Sequence, residues 1–267
     1  LEFPTESWTE EEFRDAAVKM TDESKGQYGI MFGGGVIDWG RAIYGNGETQ
    51  IYDWNAKKMQ ATDNDALYHI WDLWINDLML NEKAAPAVLN SKDIGGGFET
   101  GKYGMAFIGF WDIAEIHKVV QDSFEWDLIP LPTNETYGQW RTQMYANALS
   151  ISANSEKKDA AFEYIKWTLE NRDIQTNSVS LPVNKEISGD SEFLNEFADG
   201  AKHFNKQLAL DALANSVTWR NTGTVAEINN NVIKPEIERL VLKPDSTDLK
   251  TVLENIQTDG QKIFDAE

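Results

Sequence analysis

The chain has no cysteine, three histidines and far fewer basic than acidic residues. Without cysteine there is no disulfide scaffold, no thiolate zinc site and no cysteine nucleophile. Secreted domains of this size do not need disulfides, so the compartment stays open on that count. His69, His117 and His203 show no H-E-x-x-H or other metal-ligand spacing. The first two fall on predicted helices, where a surface or helix-flank histidine is the ordinary reading. With 24 Lys and Arg against 44 Asp and Glu, the formal charge is −20. Such a chain repels phosphate backbones and anionic headgroups unless it carries a local basic patch, and its Lys and Arg are scattered. Its longest apolar run, Gly104-Met105-Ala106-Phe107-Ile108-Gly109-Phe110-Trp111, is far short of the ~20 residues that span a bilayer. Leu1-Glu2-Phe3-Pro4-Thr5-Glu6-Ser7 has neither the basic nor the apolar region of a signal peptide.

What the chain does have is bulk and aromatic surface. Its 267 residues, 41% of them hydrophobic, suffice for one large or two smaller packed domains. It carries 10 Trp beside 8 Tyr and 12 Phe. Such rings suit apolar ring surfaces, including the C–H faces of sugars, although most tryptophans in a folded chain are partly buried core.

The spacing predicts a first helix capped by Thr9 and Glu12, with Trp8 and Phe13 as a hydrophobic staple and Phe13, Ala16, Ala17 and Met20 inward. Tyr28, Ile30 and Phe32 alternate as a strand. Gly33-Gly34-Gly35 ends it, and Asp38, Trp39, Arg41 and Tyr44 lead to the turn Gly45-Asn46-Gly47. A long amphipathic helix from about residue 63 buries Leu67, Ile70, Trp71, Trp74 and Leu78. A Gly-rich loop covers 90–102, a buried strand 103–110 and a helix 112–120. Residues 124–131 and 145–152 read as further strands. Helices then dominate: 155–169, with Ala161, Ile165 and Leu169 on one face, then 191–204, 205–214, 223–241 broken or bent at Pro235, and 248–264. Strands and helices alternate first and helices prevail later, which is the order of an α/β layer with a mixed sheet finished by a helical segment.

Gly96-Gly97-Phe98-Glu99-Thr100-Gly101-Lys102 matches the first seven places of a phosphate-binding P-loop, but Tyr103 replaces the required Ser or Thr and a strand, not a helix, is predicted to follow. No G-x-S-x-G elbow is present. A glycosidase needs only two carboxylates suitably spaced in an aromatic cleft. Among 44 acidic residues, Asp38 and Asp112 are the pair to watch, since each adjoins a tryptophan; a loop residue and a helix cap are their plain structural readings.

Gly101-Lys102-Tyr103-Gly104-Met105-Ala106-Phe107-Ile108-Gly109-Phe110-Trp111 closely resembles the G-K-x-A-M-x-x-x-G-x-W run of carbohydrate-binding proteins of ABC importers. Phe124-Glu125-Trp126-Asp127-Leu128-Ile129-Pro130-Leu131-Pro132 is similar to that family's strand ending in P-x-P. Tyr145-Ala146-Asn147-Ala148-Leu149-Ser150-Ile151-Ser152 resembles its crossing strand, residues 157–169 its K-x-x-A-A-x-x-F helix, and Ser180-Leu181-Pro182-Val183 its L-P turn. The opening Pro4-Thr5-Glu6-Ser7-Trp8-Thr9-Glu10-Glu11-Glu12-Phe13 is like the family's P-x-T-W-x-E-F helix start. These motifs cover nearly the whole chain in the family's order.

The resemblance implies a maltose-binding-protein-like solute-binding protein of an ABC importer, with the two-lobe α/β periplasmic-binding-protein-like fold. The P-T-x-x-W helix lies mid-chain in that family, so the resemblance implies a fragment without its N-terminal segment, signal sequence and lipid-anchor cysteine. Residues 1–149 and 200–267 correspond to the second lobe, and 150–199 to a returning piece of the first. The implied function is capture of a mono- or oligosaccharide between the lobes and delivery to the membrane subunits of an ABC permease, outside the cytoplasm, in the periplasm or as a cell-surface lipoprotein. No enzyme activity, cofactor or metal is implied. The alternatives are a glycoside-active enzyme with paired carboxylates and a same-fold protein for a non-sugar solute. Trp111 stands where the family places a stacking aromatic. Trp39, Trp140 with Arg141, and Trp219-Arg220-Asn221 are further candidates to bind the ligand, with Asp38 and Asp112 as hydroxyl acceptors. Trp8, Trp54, Trp71, Trp74 and Trp167 are assigned to core or lobe surface.

Overall fold

Thr9 caps the helix Glu10–Lys19 as its sequence requires: the hydroxyl accepts from the Glu12 amide at 3.1 Å and the Glu12 carboxylate accepts from the Thr9 amide at 2.7 Å. Trp8 and Phe13 meet edge to face with centroids 5.8 Å apart, so the staple is in place. The computed structural model describes residues 4, 7–32, 37, 40, 43–44, 51–53, 55–88, 96–176, 180–195, 206–218 and 223–266. It divides into one unit of residues 1–108, 129–143 and 215–267 and a second of 109–128 and 144–214.

At the centre of the first unit the strands Tyr28–Phe32 and Tyr103–Phe107 pair in parallel, with Ile30 opposite Met105 and Phe32 opposite Phe107. Glycines let the first helix lie directly on this pair. A Cβ at Gly29 would stand 1.8 Å from the Ala17 carbonyl oxygen, and one at Gly104 would stand 2.5 Å from the Met20 sulfur. Arg14 ties the other side of the helix down, donating to both Asp77 oxygens at 2.5 and 2.9 Å and to Glu82 at 2.7 Å. Because a strand follows Lys102, Gly96 to Lys102 is no P-loop.

The long apolar stretch predicted from residue 63 is a helix at Asp65–Trp71 that continues through wider turns over Asp72–Asn81. It buries Leu67, Ile70, Trp71, Trp74 and Leu78 completely. Both indole N–H groups are buried with no hydrogen-bond partner among the described residues. Trp71 therefore packs as a hydrophobe, and Trp74 stacks on Phe32 at 4.5 Å. Trp8 is buried too, while Trp54 lies outside the described residues.

The predicted break at Pro235 takes a milder form. Gly223–Ile228 runs into wide turns at Asn229–Ile233 and then Lys234–Leu242, with Pro235 in the first turn of the last piece, where its missing N–H costs little. The final helix, Leu249–Asp265, buries the apolar stripe read from the sequence. Its polar flank closes the edge of the hairpin formed by Tyr52–Asp53 and Lys58–Met59. Gln257 accepts from the Ala61 amide at 2.8 Å and Gln261 from the Met59 amide at 3.0 Å, so two glutamines one turn apart satisfy that edge.

The second unit is mainly helical: Ile113–Val120, Lys158–Glu170, Arg172–Thr176, Lys185–Ser188, Ser191–Asn195 and Lys206–Ala214. On Lys158–Glu170, Ala161 and Ile165 are half-buried, but Thr168, not Leu169, completes that face. Trp167 is exposed beside Tyr164, a surface residue as expected. The helix expected over 191–204 is seen at Ser191–Asn195, and the remainder lies outside the described residues.

Two predicted strands do not form. Residues 124–131 are irregular, because Pro130 and Pro132 cannot donate to a ladder and their carbonyls are taken by the Trp8 indole at 2.7 Å and the Trp140 amide at 2.9 Å. Residues 145–152 are likewise outside any strand, since no strand among the described residues pairs with them. Alternation alone does not make a strand without a neighbour to share its hydrogen bonds.

Replacing Gly29 by Ala is expected to lower unfolding stability by about 3 kcal/mol, because backbone on both sides resists displacement. Urea denaturation would measure it, and an unchanged midpoint would contradict the close approach.

Candidate functional site

The side chains expected to meet a ligand fall into three groups. Asp38, Trp39, Trp219, Arg220 and Asn221 lie outside the described residues, as do Arg41 and the glycines at 33–35 and 45–47. Trp140 and Arg141 belong to the first unit, and Trp111 and Asp112 to the second.

The expectation for Trp140 is corrected. Its ring is 1% exposed and packs against Phe13 at 4.9 Å, Trp74 at 5.5 Å and Phe107 at 5.8 Å. Its indole N–H donates to Glu10 Oε2 at 2.9 Å. Neither face nor donor is left for a ligand. Arg141, the next residue, is half-buried, and its backbone amide donates to the Ile43 carbonyl at 2.5 Å.

Glu10 itself had no signal in the sequence, where it is one of three successive glutamates. It is 7% exposed, and its carboxylate accepts from Tyr44, from Trp140, from Asn134 Nδ2 at 2.9 Å and from His69 Nε2 at 2.5 Å. Burial pushes the Glu10 carboxyl up, but the bonds from His69, Tyr44 and Trp140 and the His69 charge together hold it below its ordinary value. The same bond to Glu10 raises His69 against the opposing effect of burial. Burial and Glu10 push the Tyr44 phenol far up, so it remains a donor. This cluster is a structural clamp: every polar group the network places on Glu10 is engaged.

Trp111 is presented in the opposite way. Gly109 to Asp112 forms one tight turn, in which the Asp112 amide donates to the Gly109 carbonyl at 3.0 Å and the Gly109 amide donates to Asp112 Oδ2 at 3.1 Å. The Trp111 indole folds back over Gly109, where a Cβ would stand 2.1 Å from the ring. Yet the side chain stays 46% exposed. Tyr145 stands against it edge to face, centroids 5.5 Å apart and planes at 85°, and is 56% exposed. Asp112 is thus a turn-former directly beside the aromatic platform, close to its helix-cap reading. In the sequence, where residues 145–152 read as a strand, there is no sign that Tyr145 stands beside Trp111.

Among the described residues no three His, Asp or Glu side chains gather into a cation site, and no helix is long and apolar enough to cross a membrane. The arrangement around Trp111 leaves part of its indole ring open to solvent.

Residues 2–173 match the sequence model of a family described as bacterial extracellular solute-binding protein. No curated protein matches the chain. Among solved structures it is similar to the maltose/maltodextrin-binding domain MalE of Bdellovibrio bacteriovorus bound to maltotriose, with TM-score 0.72 and 14% identity over 97% of this chain and 67% of that one. The ABC substrate-binding protein Lmo0181 of Listeria monocytogenes, in complex with cycloalternan, gives 0.66 and 17% over 98% and 65%. UgpB of Mycobacterium tuberculosis, in complex with glycerophosphocholine, gives 0.68 and 20% over 100% and 65%. The chain spans about 65% of the length of the Lmo0181 and UgpB structures. At these identities the likeness establishes the fold alone, the two-lobe periplasmic-binding-protein-like α/β class.

The Glu10–His69 pair makes stability depend on pH with a defined sign. Its histidine part is fully present below the ordinary value of 6.5 and is lost as pH rises through the raised value. Its carboxylate part is present above 4.5 and is lost as pH falls through the lowered value. Urea midpoints should therefore decline above neutrality, and His69→Gln should flatten that limb. Glu10→Ala, which leaves buried donors without an acceptor, should cost about 3 kcal/mol.

Proposed function

Because the chain belongs to the bacterial extracellular solute-binding proteins, we propose that it is part of the ligand-capturing component of an ABC importer and that its solute is a mono- or oligosaccharide. The observation that carries the sugar reading is Trp111. It is a large ring held half in solvent by a turn built for it, where burial would be the cheaper fate of an indole. Sugars offer flat C–H faces to such a platform and hydroxyls to the polar groups around it. Trp111 is the proposed stacking residue and Asp112 the proposed support of its turn. Trp39, Trp219, Arg220, Asn221 and Asp38 complete the proposed ligand contacts. Support comes also from the neighbours bound to maltotriose and cycloalternan.

The proposed mechanism is capture followed by lobe closure, which presents the loaded protein to permease subunits. No bond in the solute is made or broken. Residues 1–149 and 200–267 are assigned to the second lobe of the complete protein and 150–199 to a piece of the first. The protein works outside the cytoplasm, in the periplasm or anchored at the cell surface. A second reading, a non-sugar solute, draws on the UgpB structure with glycerophosphocholine, since exposed aromatic rings also attract quaternary ammonium groups.

A thermal-shift screen of mono- and oligosaccharides on the complete protein is expected to find at least one that raises Tm, and silence across the panel overturns the sugar class. Trp111→Ala should weaken that sugar about tenfold. Calorimetry should show weaker binding by the 267-residue chain than by the complete protein. Incubation with oligosaccharides should release no cleavage products; turnover lost on replacing Asp38 or Asp112 would establish a glycoside-active enzyme instead.

A further inference from the structure

Trp111 and Tyr145 meet at 85° with both rings about half exposed. A single platform reads only the flat face of a sugar. Two perpendicular apolar planes read a face and an edge at once. In a pyranose chair the axial C–H groups make the apolar face, and the C6 hydroxymethyl of a hexose projects from the ring edge. A pentopyranose of the same configuration has the face but lacks the hydroxymethyl.

We propose that Tyr145 is a specificity-determining residue that, with Trp111, makes this chain favour hexopyranosides over the matching pentopyranosides. Gly109 and Asp112 are the positioning residues that set the angle of the corner. This rests on the carbohydrate reading above. Gly109 leaves the indole room to fold back, because any Cβ there would stand 2.1 Å from the ring. Asp112 locks the turn from the other side through the Gly109 amide at 3.1 Å. An indole freed from either constraint would still stack on a sugar face, but no longer at a right angle to Tyr145. Recognition of the face would then outlast recognition of the edge.

The probes are three matched pairs differing only by hydroxymethyl groups, D-glucose and D-xylose, D-galactose and L-arabinose, cellobiose and xylobiose, with choline as the non-sugar comparison. Chemical-shift titration of the 267-residue chain reads millimolar affinities and gives a hexose-to-pentose ratio for each pair. The expected ratio for the pair that binds is about fivefold, the worth of one buried carbon group. Tyr145→Ala should bring it near one while pentose affinity changes little; Trp111→Ala should weaken both partners. Gly109→Ala and Asp112→Ala should also lower the ratio, and Asp112→Asn, which keeps the acceptor for the Gly109 amide, should restore it. Melting temperatures of the same variants separate loss of fold from loss of selectivity. A ratio near one in the parent chain, or one that Tyr145→Ala leaves intact, overturns the role of Tyr145 while the sugar reading stands. Binding of choline with none of the six sugars overturns both, as does binding of no probe.

Discussion

A single buried carboxylate organises the first unit. Glu10 opens the first helix, where the positive end of the helix dipole favours an anion, and it receives Tyr44, His69, Asn134 and Trp140. Those residues come from three separate stretches of chain, and each brings a donor that would otherwise be hard to satisfy in the core. A buried carboxylate with so many partners is costly to leave half paired. The clamp therefore specifies one arrangement of the helix, the Tyr44 loop, the long apolar helix and the 133–140 segment. Arg14 does similar work one turn further along, at a more solvated place.

The tryptophans show how one residue type divides between burial and exposure. Trp71, Trp74 and Trp140 are sealed in the core, the last two among other rings, and Trp8 spends its N–H on the Pro130 carbonyl. Trp111 is kept out of any such cluster by its own turn, and the backbone under it is a glycine. An exposed indole loses the gain of burial, and that loss is compensated only if something else covers the ring. A bound solute would be such a cover, and the chain belongs to a family of bacterial extracellular solute-binding proteins. The net charge of −20 disfavours approach of anionic surfaces.

Local features were legible and distant ones were not. The capping box, the staple, the glycine-bounded strand at Tyr28–Phe32 and the stripe on Leu249–Asp265 all depend on residues within a turn or two of one another. The G-F-W-D turn was visible as a motif, and its tryptophan is exposed where Trp71, Trp74 and Trp140 are buried. Trp140 was misjudged because its partners Glu10 and Tyr44 lie 130 and 96 residues away. Residues 145–152 have the composition of a strand, but composition cannot supply a pairing partner.

The sequence by itself determined most of the helices, the two strands at Tyr28–Phe32 and Tyr103–Phe107, the family and the acidic, cysteine-free character, because caps, periodicity and motif order are short-range properties. Tertiary structure alone decided which of three adjacent glutamates is buried, that Trp140 joins the core, the parallel pairing of the two central strands, and that Tyr145 stands at a right angle to Trp111. These depend on contacts between stretches far apart in the chain, whose meeting is set by packing and by hydrogen-bond satisfaction rather than by local preference.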